Sequence, residues 1–268
     1  MSLINWEELW KIKILGSYRN EFVNVSYWDK WAENYDKNNV LMQNLTKYQL
    51  DCLQLSSGCT VLDVGAGTGR LTIPIANCVK QVTAVEPSEN MLAFLKSIAE
   101  KENVNNIVTV NRPFEDLLAN EDIQPHDLVV ASLSLCMLDL VTVLQKMNTL
   151  AKKYVYLFLP ASEWMNQELQ KIIHGNTSPI SKLGDYIYVY NILHDLGILA
   201  NVEIWDFAVD QHYNTLDEAV SKYVKIFNLY GKKEKLRTCL NELLVKKNGK
   251  LLLKDTRKLA IISWAKTY

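Results

Sequence analysis

From Thr60 onward, short apolar runs alternate with longer amphipathic stretches. The runs Thr60 to Val64, Gln81 to Glu86, Asn106 to Asn111, Asp127 to Ser132 and Tyr154 to Leu159 predict strands. Between them, Leu71 to Cys78, Glu89 to Lys101 and Leu138 to Ala151 carry helical spacing, with Ser88 placed as the N-cap of the second. This alternation predicts an α/β fold, a doubly wound and mostly parallel sheet with helices on both faces. Right-handed crossovers carry strands one to three to one side, and strand four begins the other half. A ligand crevice should therefore open at the carboxyl ends of strands one and four, where Gly65 to Gly69 and Ser132 to Cys136 fall.

Beyond Leu159 the pattern is less regular. A helix near Asp185 to Leu196 leads through Gly197 into a strand at Val202 to Phe207, and the chain closes on a strand at Leu259 to Ala265. Two helices are expected between those strands, one opened by the capping box Thr215-Leu216-Asp217-Glu218 and one across Lys233 to Lys246. Residues 161 to 178, with Trp164 and Met165, form a further insertion. At the other end, Trp6, Trp10, Trp28 and Trp31 crowd the first 31 positions, and Ser26-Tyr27-Trp28-Asp29 reads as a capping box opening a helix through Asp36. The expected organisation is one domain over 1–268. It comprises a helical lid at 1–55, a core that binds a ligand at 56–160, and the rest of the sheet with helical insertions at 161–268.

The chemistry concentrates in Val61-Leu62-Asp63-Val64-Gly65-Ala66-Gly67-Thr68-Gly69-Arg70-Leu71. Glycines at a strand-to-helix turn let the backbone take φ > 0 and leave its N–H groups open to a polar ligand. The G-x-G-x-G spacing departs from the dinucleotide fingerprint G-x-G-x-x-G. Asp63, two residues before the first glycine, suits a cationic group and repels a pyrophosphate. Glu86 ends the second strand 17 residues after Gly69, where one carboxylate can accept from two ribose hydroxyls.

Together these residues resemble the cofactor site of the class I S-adenosylmethionine-dependent methyltransferases. The resemblance implies a seven-stranded sheet with its last strand antiparallel, and the extra helices as a cap. It implies that Asp63, Gly65, Ala66, Gly67, Thr68 and Gly69 surround the methionine part of S-adenosyl-L-methionine. Glu86 would hold the ribose, and Pro87 would pack on adenine, with Met91 nearby. The phrase Tyr27-Trp28-Asp29-Lys30-Trp31-Ala32-Glu33-Asn34-Tyr35-Asp36 is similar to the segment before the first strand in small-molecule enzymes of the ubiquinone-biosynthesis type. There a tyrosine matching Tyr35 covers the cofactor; the alternative is that these aromatics only dock a helix, the reading preferred for Trp6 and Trp10. After strand three the family usually places an aspartate for the adenine amine. Here Pro113 takes that slot, leaving Phe114, Glu115 or Asp116 for adenine.

The loop Ala131-Ser132-Leu133-Ser134-Leu135-Cys136 lacks the Asn/Asp-Pro-Pro-Tyr/Phe motif of enzymes that methylate planar amines. It resembles instead the weakly polar loop of small-molecule enzymes, with Ser132 and Leu133 by the cofactor and Trp28, Ser134 and Cys136 toward the substrate. Methyl transfer from a sulfonium is an in-line displacement, and a general base is needed only when the acceptor must lose a proton. His174, His194 and His212 are candidates for a base, whereas His126 sits at the wrong end of the sheet. No catalytic residue is assigned.

Composition narrows the setting. With 268 residues and 49% hydrophobic content the chain can bury a substantial core. No apolar run spans the ~18 to 20 residues of a membrane helix, and no signal pattern opens the chain, so a cytoplasmic protein is expected. Cys52, Cys59, Cys78, Cys136 and Cys239 lack C-x-x-C spacing, which disfavours a metal site or disulfide framework. Between Lys232 and Lys258 ten Lys or Arg face three acids, despite a net charge of −1 for the whole chain. Leu236, Leu240, Leu243 and Leu244 at helical spacing make this stripe the solvated face of a helix. The alternative is a non-catalytic or RNA-directed module that keeps the cofactor pocket. The expected partner is a small-molecule substrate; oligomeric state and the nature of the methylated atom stay open.

Overall fold

A computed structural model describes residues 3–162, 166–175, 183–227 and 229–266. Trp164 and Met165 of the expected insertion lie outside the described residues. A seven-stranded sheet organises the chain. Its parallel part comprises β1 (Thr60–Val64), β2 (Gln81–Val85), β3 (Ile107–Val110), β4 (His126–Ser132) and β5 (Ala151–Pro160). β6 (Asn201–Ala208) follows, then β7 (Gln211–Tyr213), β8 (Leu244–Lys247), β9 (Lys250–Leu253) and β10 (Thr256–Ala265). The sheet order is β3-β2-β1-β4-β5-β10-β6, with β10 antiparallel to both neighbours. β1 pairs with β2 on one side and β4 on the other, Asp63 lying opposite Ala84 and Val130. The crossover direction reverses between β1 and β4, so the crevice opens at their carboxyl ends as expected.

Side chains alternate across a strand, and β1 divides its residues between two cores accordingly. Leu62 and Val64 pack in a cluster with Trp10, Ile14 and Tyr188; Val61 packs on the opposite face with Leu45, Ile75 and Phe158. The first cluster is built from α1 (Trp6–Leu15), α6 (Leu140–Leu150) and α8 (Asp185–Asp195), the second from α3 (Gln43–Cys52) and α4 (Thr72–Ala76). α2 (Val25–Asn38) lies against α5 (Glu89–Lys101). Trp6 and Trp10 dock α1, their rings 6.3 and 6.0 Å from that of Tyr188, and Trp10 Nε1 donates to Met137 O at 2.7 Å. No helix of the described residues is long and apolar enough to cross a membrane.

A separate apolar cluster forms the cap from α7 (Gln167–His174), α9 (Leu216–Phe227), α10 (Lys233–Leu243) and the small sheet β7-β9-β8. The Thr215 cap is present, its Oγ1 accepting from Glu218 N at 3.1 Å. Two local expectations fail. The helix from Lys233 stops at Leu243, and Leu244–Lys247 is a strand that turns through Asn248 (φ 50) and Gly249 (φ 76) into β9. Asn-Gly with both residues at positive φ is the favoured two-residue hairpin turn, which overrides the helical spacing of the leucines. The basic stripe is therefore divided among a helix, a hairpin and β10 rather than being one helical face. Second, Ser26 lies inside α2, whose N-cap is Asn24. Asp29, freed from capping, accepts from Ser88 Oγ at 2.6 Å and latches α2 to α5.

Candidate active site

Gly65, Gly67 and Gly69 have φ of 74, 57 and 89, the region a side chain disfavours. Gly65 is also sterically required, because a Cβ there would overlap Ser134 Cβ. The loop is held from three sides. Gly65 N donates to Val85 O (2.8 Å), Gly67 N donates to Glu86 Oε2 (2.9 Å), and Ser134 Oγ donates to Val64 O (2.5 Å). Glu86 Oε1 accepts from Ser88 N at 2.9 Å, so one carboxylate joins the glycine loop to the start of α5. Burial pushes its pKa up, against the pull of those two N–H groups.

A cavity of about 550 Å³ lies over this loop. Gly65, Gly67, Glu86, Pro87, Met91, Phe114, Glu115, Ser132, Leu133 and Tyr35 line it, together with Trp28, Ser134 and Cys136. The Tyr35 ring edge would stand 3.7 Å from a Cβ on Gly67, so the ring sits over the loop. Pro113 and Asp116 also line the cavity near Phe114 and Glu115. The Phe114 and Glu115 carbonyls receive Lys146 Nζ at 2.9 and 2.7 Å, and Asn111 Nδ2 donates to Glu86 O and Pro87 O.

Four expected cofactor residues do not line the cavity. Asp63 is 2% exposed and accepts from Thr72 Oγ1 at 2.6 Å beneath the loop. Burial raises its pKa to about 6, opposed by Thr72 and by Arg70. Thr68 is fully buried, with its Oγ1 accepting from Asn39 Nδ2 at 2.8 Å, and Ala66 is buried. Gly69 packs against Leu95 and Ile73. In this fold the turn closes over the strand-end carboxylate, and these four residues lie beneath the loop or within it rather than on the cavity wall.

A second cavity of about 470 Å³ adjoins the first and is lined from α2 and from α9 of the cap. Phe22, Trp28, Tyr35, Leu133 and Cys136 line both. Leu133 holds φ 58 with its N–H donated to Phe158 O, a conformation that non-glycine residues keep chiefly where surroundings impose it. Burial pushes the Cys136 thiol up to about 12, so it stays neutral at physiological pH. Arg70 spans the floor between α3 and β4. Its Nη1 donates to Thr46 Oγ1 (2.7 Å) and Gln49 Oε1 (2.9 Å), and its Nη2 to Ser132 Oγ (2.8 Å). Gln49 Nε2 donates to the same Ser132 oxygen (2.9 Å), so the serine proton is directed elsewhere.

None of the candidate bases lines either cavity. His174 lies edge-on to Phe227, and burial with nearby Lys232 lowers its pKa to about 4. His194 and His212 are exposed, and His126 contacts Thr83 Oγ1 near the opposite end of β4. The second cavity's polar residues were not foreseen in the sequence. Lys13 and Arg19 reach Asp185 at 2.8 and 2.7 Å across more than 160 positions, a separation that leaves no local pattern.

A sheet of this order, with its antiparallel strand next to β5 and a glycine loop and acid bounding a cavity at the β1/β4 switch point, defines a class I methyltransferase fold. A family model described as a methyltransferase domain matches residues 55–196, and the chain belongs to that family. It is 26% identical over 201 residues to an uncharacterized protein of Haemophilus influenzae, covering 74% of this chain and 73% of that one. Over 83 residues it is 31% identical to the probable S-adenosyl-L-methionine-dependent methyltransferase TehB of Haemophilus influenzae, covering 31% of this chain and 28% of that one. The crystal structure of YcgJ from Bacillus subtilis superposes with a TM-score of 0.59 at 14% identity, covering 83% of this chain and 98% of that one. The protein is a methyltransferase, and its cofactor is S-adenosyl-L-methionine. The chain fits that group: side-chain-free backbone at Gly65 and Gly67 and the Glu86 carboxylate face one cavity.

Proposed function

We propose that this methyltransferase acts on a small molecule held in the second cavity. The observation that carries the reading is the contact between the two cavities, which share Trp28, Tyr35, Leu133 and Cys136. S-adenosyl-L-methionine, when bound, supplies a methyl group activated on a sulfonium. Gly65 and Gly67 would receive its amino-acid part, Glu86 would accept from its ribose, Pro87 and Met91 would flank the base, and Phe114 with Glu115 would bound it, all of them residues that line the first cavity. Tyr35 and Trp28 exclude water at the junction. Holding donor and acceptor aligned in a dry site is worth roughly 7 to 11 kcal/mol. No histidine faces the junction and the Cys136 thiol stays protonated, so positioning is the chain's main contribution.

The test is calorimetry with S-adenosylhomocysteine, followed by transfer of labelled methyl from the cofactor into a cell extract separated into small molecules, protein and RNA. Binding by the wild type, lost in Glu86→Ala, with label in the small-molecule fraction, is expected. Absence of cofactor binding overturns the site. Label confined to RNA or protein overturns the acceptor class.

A further inference from the structure

Among the described residues the second cavity is lined by five cationic side chains, Lys13, Arg19, Arg70, Lys222 and Arg257, against two carboxylates, Asp185 and Asp255. Both carboxylates are already engaged: Asp185 by Lys13 and Arg19, Asp255 by Arg257 at 2.7 Å. Among the described residues Lys222 and Arg70 make no ion pair. Arg70 spends three N–H groups on Thr46, Gln49 and Ser132, whereas Lys222 Nζ has only Gln211 Oε1 at 3.3 Å and the Tyr213 ring at 5.5 Å. Of the two acids on the same helix, Asp217 pairs with Arg237, and Glu218 is turned to Asn214, its Oε2 accepting from that residue's backbone and side-chain nitrogens at 2.7 and 2.9 Å. Burial lowers the Lys222 pKa, as it does for an ammonium with incomplete compensation.

A second polar group faces the same space. Gln170 on α7 is 7% exposed and lines the cavity, yet among the described residues its side-chain amide has no hydrogen-bond partner. Facing one cavity from α7 and α9, an amide without a protein partner among the described residues and an ammonium with few partners point to a ligand that pairs them. The lining that the N-terminal segment contributes is aromatic, with Phe22, Tyr27, Trp28 and Trp31.

We propose that the acceptor is an amphipathic anion: an apolar or aromatic body against the Trp28 wall, and a carboxylate or phosphate received by Lys222 Nζ and the Gln170 amide. This rests on the second cavity being the acceptor site. A hydrogen bond to a charged group discriminates by about tenfold or more against an uncharged analogue.

The experiment titrates the full chain by calorimetry with 2-naphthoate, 2-naphthyl phosphate, 2-naphthylmethanol and 2-naphthylmethylammonium, with S-adenosylhomocysteine affinity measured in parallel. At least one anion should bind about tenfold more tightly than the alcohol, with the ammonium weakest, and the better of the two anions identifies the headgroup. Lys222→Met and Gln170→Leu should diminish that preference, Lys222→Arg should keep it, and all three should retain wild-type homocysteine-product affinity and thermal midpoint. Equal binding of alcohol and anions, no binding of any probe, or a preference indifferent to Lys222→Met overturns the proposal. Intact S-adenosylhomocysteine binding with no anion preference sinks this inference alone; the converse sinks the cofactor reading alone.

Discussion

Replacing Glu86 by glutamine separates the loop bonds of one carboxylate from the ribose contact proposed for it. In the native chain Oε2 accepts from Gly67 N and Oε1 from Ser88 N, both at 2.9 Å, and the side chain is 6% exposed. A glutamine keeps one acceptor and turns an NH2 toward the other backbone donor, so one charge-assisted bond is lost and two donors face each other. Such a bond contributes about 1.5 to 3 kcal/mol. For stability of the free protein this loss is offset by relief of the buried charge, whose desolvation already raises the pKa. Binding has no such offset, because the neutral amide also offers the ribose one acceptor oxygen in place of two. Stability of Glu86→Gln by urea unfolding should therefore change little, while S-adenosylhomocysteine affinity by calorimetry falls roughly 10- to 100-fold. An affinity within about threefold of wild type would refute the account of the loop.

Asp63 titrates in the opposite sense to a paired surface acid. Its folded pKa is raised from 3.8 to about 6, so its favourable contribution is present below the unfolded value and is lost as pH rises through the folded one. Asp63→Asn should flatten the decline in unfolding free energy between about pH 4 and pH 7 by up to about 3 kcal/mol, and parallel wild-type and variant curves from urea titrations would refute this. Gly65→Ala combines φ 74 with overlap on Ser134 and should lower stability by at least about 1 to 2 kcal/mol, seen as a reduced thermal midpoint. Asp29→Ala removes the acceptor for Ser88 Oγ; amide exchange in α2 should accelerate while β1 and β4 stay protected, and unchanged α2 exchange would show that the latch carries no weight.

The glycine spacing, the acid at Glu86 and the strand-helix alternation were legible because each is a local pattern with a short period. All seven strands of the main sheet lie within a few residues of their expected positions, and Ser88 caps α5 with Met91 N at 3.1 Å. The Asn248-Gly249 turn was equally local and outweighed the leucine spacing that suggested a longer helix. The misread capping box at Ser26 shows the limit of such patterns: Asp29 found a partner 59 positions away that competed with its own backbone.

Sequence alone therefore determined the class of fold and its switch point, because backbone geometry and side-chain period are imposed residue by residue, and the resemblance of its motif implied the cofactor. Only the tertiary structure decided which of the motif residues face the cavity, placing Asp63 and Thr68 beneath the loop and Glu86 on the cavity wall. It also decided the character of the second cavity, since Lys13, Arg19, Gln170, Lys222 and Arg257 come from distant segments and share only the cavity that they line. Charge compensation and desolvation are summed over neighbours in space, and no window along the chain contains that sum.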